Sequence, residues 1–214
     1  MSRVLLKLRK GDKVKYLSHL NFTRAFEMAL RRARVPVAYS SGFNPRPRMS
    51  FGSAVGVGVT SDDERIVLEL ASPENPSDIL ERLNFQLPEG MEVLSAEAVE
   101  GSPPGLNASQ FQIAAACDEG CGPAAVGKAV EELMKSGQIR VVRTREGKTK
   151  EIDIRPFLLD ADVAECGERS VLVNVSLRLG DAGGARPQDF LQALLHLVPN
   201  LSLGRIHKLR QFRV

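Results

Sequence analysis

The fold of this chain is decided by residues 14–59, VKYLSHLNFTRAFEMALRRARVPVAYSSGFNPRPRMSFGSAVGVGV. The pattern predicts a helix that begins after Ser18, because a serine hydroxyl can accept a hydrogen bond from a backbone N–H of the first turn. Pro36 lacks an N–H and restricts the residue before it, so we expect the helix to end there. Between these limits, apolar residues fall at helical spacing on one face: Phe22, Phe26, Ala29, Leu30 and Ala33.

The helix is followed by a segment rich in turn-forming residues. Residues 38–48, AYSSGFNPRPR, predict an open loop, because Gly42 and Asn44-Pro45 favour turns and Pro47 keeps the chain extended. Residues 49–59 predict a strand whose glycines indicate a bulge or a close backbone approach. We expect a turn at 60–63 (TSDD) and a second strand at 65–70 (RIVLEL).

Working outward, the first half reads as strand, helix, strand, strand, helix, strand, with the outer elements at 3–9, 76–85 and 91–99. That order is typical of the ferredoxin-like arrangement. The second half predicts strands, hairpin arms and helices at 110–117, 124–135, 139–144, 150–154, 158–164, 171–179, 187–197 and 203–214. We therefore predict an α+β protein of two ferredoxin-like (βαββαβ) units with antiparallel sheets, the second elaborated by an extra hairpin. The units should span 1–100 and 109–214, joined by a Gly- and Pro-rich linker at 101–108.

Charge is distributed very unevenly along the first half. Residues 1–60 carry 12 Lys and Arg against Asp12 and Glu27, a net charge of +10. Residues 61–108 carry Arg65 and Arg82 against 11 Asp and Glu, a net charge of −9. The overall composition, 43% hydrophobic and 26% charged, is that of an ordinary globular protein. No apolar run reaches the ~18–20 residues that span a bilayer, and the N-terminus lacks the pattern of a signal peptide, so we expect a cytoplasmic location without membrane association.

The three cysteines, Cys117, Cys121 and Cys166, do not form a recognisable metal site. An iron–sulfur cluster would need a third cysteine close to the first two, and the position three residues after Cys121 is Ala124. Zinc would also lack ligands, since no histidine lies nearby. We expect reduced thiols, no metal and no cofactor.

The basic segment indicates nucleic-acid binding, because guanidinium groups pair with phosphates and exposed aromatic rings stack on unpaired bases. The alternative is a solvated basic face that is balanced by the acidic residues of 61–108. The candidate RNA-binding residues are Arg24, Arg31, Arg32, Arg34, Tyr39, Phe43, Asn44, Arg46 and Arg48.

His19 is the only candidate for catalysis. A histidine at a helix start can be held neutral and act as a base, and Tyr16 and Ser18 lie beside it. This would suit metal-independent RNA cleavage, as in the CRISPR repeat-processing enzymes that also use ferredoxin-like domains. No second acid or base stands out by spacing, so a structural or binding role is favoured over catalysis.

The segment YLSHLNFTRAFEMALRRARVPVAYSSGFNPRPRMSFG, residues 16–52, resembles the radical SAM-linked family of uncharacterised bacterial proteins. Members of that family occur fused behind, or encoded beside, a radical SAM protein. Asn21 and Arg46 depart from the family signature, which has an aspartate and a histidine there, so an acid/base pair at those positions is absent. The resemblance implies a radical SAM protein as partner. The positions that match are Tyr16, Ser18, His19, Leu20, Arg24, Glu27, Arg31, Arg32, Tyr39, Ser40, Gly42, Phe43, Asn44, Pro45, Pro47, Ser50 and Phe51.

These observations favour a non-catalytic accessory module that binds RNA, tRNA or rRNA, for a radical SAM enzyme. Two alternatives stay open. One is an RNA-processing enzyme that uses His19, and the other is a protein–protein adaptor whose basic half docks an acidic partner.

Overall fold

The computed structural model describes residues 2–100, 105–117, 122–145, 147–167, 169–179 and 184–214. The chain divides into two compact units, Met1–Leu106 and Asn107–Val214. In the described ranges, four α-helices accompany strands that pair antiparallel within each unit, which confirms the predicted α+β class. None of these helices is both long and apolar enough to cross a membrane.

The described part of the first unit has its α-helices and strands in the predicted order, with one 3-10 turn at Asp12–Val14: β1 (Ser2–Lys10), α1 (His19–Arg32), β2 (Met49–Phe51), β3 (Val59–Leu70), α2 (Pro76–Gln86) and β4 (Met91–Val99). Its strands lie side by side as β4-β1-β3-β2, and each neighbouring pair is antiparallel. The short β2 is held on the edge of β3, where Ser50 is opposite Val67.

One apolar core joins both helices to one face of this sheet. Alternation along β1 buries Val4, Leu6 and Leu8, as the period of two requires for a strand covered on one side. On α1 the buried residues are Phe22, Phe26, Ala29 and Leu30, and on α2 they are Ile79 and Leu83. The residues that the sequence placed on the apolar face of α1 are therefore the ones that the core buries.

Helix α1 begins as predicted and ends earlier than predicted. The Ser18 hydroxyl accepts a hydrogen bond from the Asn21 backbone N–H at 3.2 Å. The helix stops at Arg32, before Pro36, because Arg34 adopts a left-handed φ of 52°. The Arg34 N–H then bonds the carbonyl of Arg31 at 3.1 Å, and the Val35 N–H bonds that of Leu30 at 3.2 Å. These two bonds form the Schellman termination, in which a glycine is more usual at the left-handed position.

The predicted strand at 49–59 and the predicted turn at 60–63 are both wrong in extent. The strand pairs only over Met49–Phe51, and Gly58 has a left-handed φ of 83° that interrupts extended backbone. Residues 60–63 belong instead to β3, where Ser61 and Asp63 are fully buried. The Ser61 hydroxyl accepts from the Asp63 N–H at 3.1 Å, so polar groups that favour a turn are satisfied inside a strand.

The second unit contains β5 (Ala108–Cys117), α3 (Pro123–Lys135), β6 (Arg140–Arg145), β7 (Lys148–Asp153), β8 (Leu158–Cys166), β9 (Ser170–Arg178), α4 (Pro187–Leu197) and β10 (Leu201–Phe212). Its main strands lie in the order β10-β5-β9-β8, all antiparallel. The predicted extra hairpin is present as β6 and β7, which form a separate two-stranded sheet among the described residues. This hairpin is fastened to α4, because Arg143 binds Asp189 and the Val142 N–H donates to Gln192 at 2.8 Å.

The start of the second unit is fixed by Asn107. Its side chain donates to the Val214 carbonyl at 3.2 Å and accepts from the Val214 N–H at 2.9 Å. Ala108, the last residue of the predicted linker, pairs with Arg178 of β9 as the first residue of β5. Residues 101–104 of the predicted linker lie outside the described residues.

Candidate nucleic-acid interface

Residues 38–48 form a hairpin, where the sequence predicts an open loop. The Arg48 N–H donates to the Ala38 carbonyl at 2.7 Å, and the Ser40 N–H donates to the Arg46 carbonyl at 2.9 Å. The Arg46 N–H also donates to the Ser40 hydroxyl at 3.1 Å. Pro45 and Pro47 alternate with these donors, so neither proline occupies a position that must donate to the ladder. We call this element the hairpin 38–48.

The hairpin 38–48 is anchored to the edge of β3 at Glu69. The Ala38 N–H donates to the Glu69 carbonyl at 2.8 Å, and the Glu69 N–H donates to the Arg48 carbonyl at 3.0 Å. The Glu69 carboxylate also binds the guanidinium groups of Arg3 at 2.7 Å and Arg48 at 3.4 Å. The hydrogen bond from Arg3, assisted by the one from Arg48, lowers the pKa of Glu69.

The tip of the hairpin exposes several of the predicted RNA-binding side chains. Phe43 is fully exposed, with a relative accessibility of 106%, and Tyr39 is 46% exposed. Asn44 and Arg46 are exposed beside them. A phenylalanine without any apolar contact surface contributes nothing to the core, so its position presents a bare aromatic face to solvent.

The acidic residues of 61–108 neutralise part of the basic segment, as the alternative interpretation expects. Arg9 binds Asp62 at 2.9 Å and Glu92 at 2.7 Å, and the hydrogen bond to Asp62 raises the pKa of Arg9. Sheet register explains this pairing, because Arg9 lies opposite Glu92 across the β1/β4 ladder and Arg3 lies opposite Glu69 across β1/β3. Carboxylates therefore partly neutralise these β1 arginines.

A second group of cations is unpaired. Within the described residues, the side chains of Lys7, Arg24, Arg31, Arg34 and Arg46 make no hydrogen bond or ion pair. Arg24 and Arg31 are exposed and seven residues apart, which places them on one side of α1. Of the predicted RNA-binding residues, Arg48 is held by Glu69, and Arg32 donates to the Gln86 carbonyl at 3.2 Å.

The structure brings five predicted residues together and separates the other four. Those on the hairpin 38–48 are Tyr39, Phe43, Asn44, Arg46 and Arg48. Arg24 and Arg31 lie along α1, and Arg32 and Arg34 lie at its C-terminal end.

His19 has no acid or base partner in the described part of the chain. Its ring is exposed and packs edge-on against Phe51, with ring centroids 5.0 Å apart. This contact joins the start of α1 to β2, immediately after the hairpin 38–48. The arrangement suits a structural role for His19.

The described residues contain no group of three His, Cys, Asp or Glu side chains that could hold a metal ion. Cys117 is buried in β5, and Cys121 lies outside the described residues.

One exposed aromatic residue was missed by the sequence analysis. Phe85 on α2 is 87% exposed, although its helix buries Ile79 and Leu83. Phe85 follows Leu83 by two residues, which places it roughly 200° around the helix from the buried face. The helical period could therefore have identified it.

Comparison with known proteins finds solved structures of similar fold and one matching sequence family. Among the solved structures that match are three at 9% identity: a Cbf5-Nop10-Gar1 complex (TM-score 0.52), an H/ACA RNP bound to a substrate RNA containing 2'-deoxyuridine (0.51) and an archaeal box H/ACA sRNP Nop10-Cbf5 complex (0.51). The matches cover 97–98% of this chain and 47–48% of those chains, so it spans about half their length. No curated protein matches the sequence. The sequence model of a family described as "uncharacterized protein conserved in bacteria" (DUF2344) matches residues 3–187.

Proposed function

The chain thus belongs to the bacterial family DUF2344, and we propose that it binds RNA through the hairpin 38–48 and the unpaired cations of α1. The observation that carries this proposal is the hairpin tip. There a fully exposed phenylalanine, Phe43, lies three residues from an arginine, Arg46, that has no partner in the described residues.

The tip offers the two contacts that single-stranded RNA requires. An unpaired base can stack on the exposed ring of Phe43 or Tyr39, and a neighbouring phosphate can accept from the Arg46 guanidinium. Helix α1 adds Arg24 and Arg31 for further phosphates, since neither guanidinium forms an ion pair with a described residue. The β1 arginines are not part of the proposed surface, because carboxylates partly neutralise them.

The RNA is tRNA or rRNA, and the protein acts as a non-catalytic module for a separate radical SAM enzyme in the cytoplasm. The radical SAM partner is supported by the family resemblance of residues 16–52. A non-catalytic role is supported by His19, whose ring contacts Phe51 and has no acid or base partner among the described residues. The fold of an RNA-bound ribonucleoprotein, which this chain shares at 9% identity, supports testing RNA first.

We further propose that residues 1–100 and 109–214 are two ferredoxin-like domains. The support is that each unit orders its main strands as last, first, third, second, all antiparallel.

The test is RNA affinity as a function of salt concentration. Each phosphate contact with a single strand adds about 0.7 to the slope of log K against log salt. Replacing Arg24, Arg31 and Arg46 by alanine should therefore lower that slope by about two units. The matched control removes three exposed cations of the second unit that have no ion pair with a described residue, Lys128, Lys150 and Arg178, and should leave the slope unchanged.

Equal slopes for the two triple variants would refute binding through this surface. Absence of salt-dependent RNA binding by the wild-type protein would refute the proposed function and favour the adaptor alternative.

A further inference from the structure

A second surface combines cations with an aromatic ring. A shallow groove of about 430 Å³ lies between the C-terminal end of α1 and the second half of α2. Arg32 and Arg34 line it from the end of α1 and the turn that follows, and Arg82 and Phe85 line it from α2. Glu81 is the one carboxylate among its described lining residues. We call this feature the Phe85 groove.

Two of the three arginines are fixed by the protein itself. Arg82 pairs with Glu74 and donates to the carbonyls of Asp78 at 3.3 Å and Arg34 at 3.4 Å. Arg32 donates one N–H to the Gln86 carbonyl at 3.2 Å and retains its remaining donors. The Arg34 guanidinium makes no hydrogen bond or ion pair with any described residue. The groove therefore offers two guanidinium groups without a carboxylate partner among the described residues, Arg32 and Arg34, beside an Arg82 that Glu74 holds in place.

Phe85 supplies the apolar part of the groove. It is 87% exposed, so its ring is packed against nothing in the first unit that could account for its presence. A ring of this kind beside arginines matches the combination with which proteins hold unpaired bases, in which the ring stacks on the base and the cations pair with the phosphate.

We propose that the Phe85 groove binds one unpaired nucleotide of RNA, with its base on Phe85 and its phosphate on Arg34 and Arg32. This inference rests on the proposed function, to which it adds a second and separate contact. Arg34 precedes Ala38 by four residues, so its backbone lies within about 14 Å of the base of the hairpin 38–48. One RNA strand can reach both positions.

An acidic peptide suits this groove less well than a nucleotide. An acidic peptide that is recognised by an arginine cluster uses the charges and leaves the ring of Phe85 without a stacking partner, so its further affinity would have to come from main-chain hydrogen bonds. The Arg34 and Gln86 carbonyls at the rim of the groove already accept from arginines. What the groove still offers is charge and a flat ring, which a nucleotide uses fully.

The test measures the affinity of a short single-stranded oligoadenylate by fluorescence anisotropy. Phe85→Ala should weaken binding about tenfold, because stacking on one aromatic ring is lost. Phe85→Trp should restore the wild-type affinity, since a larger π-face takes the same place. Arg34→Gly should also weaken binding, and glycine suits the left-handed backbone at this position, so the helix end is kept. Val142→Ala, at a half-exposed apolar residue of β6, is the matched control and should bind normally.

The outcomes separate this inference from the proposed function. Loss of affinity in the Arg24/Arg31/Arg46 variant, with normal binding by Phe85→Ala and Arg34→Gly, overturns the groove and leaves the hairpin surface standing. If Phe85→Ala lowers the affinity for the oligoadenylate and Phe85→Trp lowers it equally, stacking on this ring is refuted. Absence of oligoadenylate and RNA binding by the wild-type protein overturns both proposals.

Discussion

Truncation of Phe43 to alanine should abolish much of the RNA affinity and leave the fold untouched. The ring is fully exposed at the tip of the hairpin 38–48, so its removal changes no packed surface and should alter the free energy of unfolding by less than about 0.5 kcal/mol. Base stacking on an exposed ring contributes about 1–3 kcal/mol to binding, which corresponds to an increase in Kd of about 5- to 150-fold.

Phe26 gives the opposite result from the same type of substitution. It is completely buried in α1, and Phe26→Ala should destabilise the first unit by about 3–5 kcal/mol. Phe43→Leu separates stacking from hydrophobicity, because leucine keeps an apolar side chain without a π-face and should bind as weakly as alanine.

The assay combines anisotropy titrations of a single-stranded RNA and a duplex of the same sequence with thermal melts of each variant. The expected loss is confined to the single-stranded RNA. An unchanged Kd for Phe43→Ala would refute stacking at the tip, and a large fall in its melting temperature would show that the ring is packed in solution.

Four further predictions concern stability, pH, catalysis and the partner. Arg34→Gly should raise the free energy of unfolding of the first unit by about 0.5–1 kcal/mol in urea denaturation. The reason is that the strain energy of a left-handed arginine is larger than the entropy cost of ordering a glycine. A destabilised variant would contradict this. The folded-state pKa of Glu69 is below its ordinary value of 4.5, so the stabilisation that its carboxylate provides is complete above pH 4.5 and is lost as the pH falls through the lowered pKa. The difference in melting temperature between wild type and Glu69→Gln should therefore shrink on acidification. A difference that stays constant would argue against the ion pairs with Arg3 and Arg48. His19→Ala should leave RNA affinity mostly intact, and neither protein should cleave host RNA in EDTA; cleavage by wild type alone would establish the enzyme alternative. Anaerobic reconstitution with iron and sulfide should yield no iron–sulfur cluster in the purified protein, and the protein should co-purify from its host with a radical SAM protein. A SAM-responsive cluster in the purified protein would contradict the proposal that a separate enzyme carries out the radical chemistry.

Periodicity was sufficient to predict the main elements, because their burial depends on spacing that the sequence displays directly. The cap at Ser18 and the buried face through Phe22 and Phe26 follow from local chemistry. The interior of β3 does not. Thr60, Ser61 and Asp63 carry turn-forming side chains, and only the completed sheet shows that their polar groups are buried and satisfied within a strand.

The residue types of the candidate site could be predicted from the sequence, but which of its arginines form ion pairs could not. The sequence shows a surplus of arginines, and it does not show which of them face carboxylates. That choice depends on strand register, which places Arg9 against Glu92 and leaves Arg46 unpaired at a hairpin tip. The hairpin itself was missed because its ladder depends on the edge of β3 around Glu69, which is distant in sequence.

The central claim is that RNA contacts the hairpin 38–48, and ultraviolet crosslinking of the intact protein to a bound single-stranded RNA tests it most directly. Aromatic side chains that stack on bases form zero-length crosslinks, and mass spectrometry of the digested complex identifies the peptide that carries the nucleotide. We predict crosslinks at Phe43 or Tyr39 that disappear at high salt together with binding. Crosslinks confined to other segments, with none on residues 38–48, would contradict the claim.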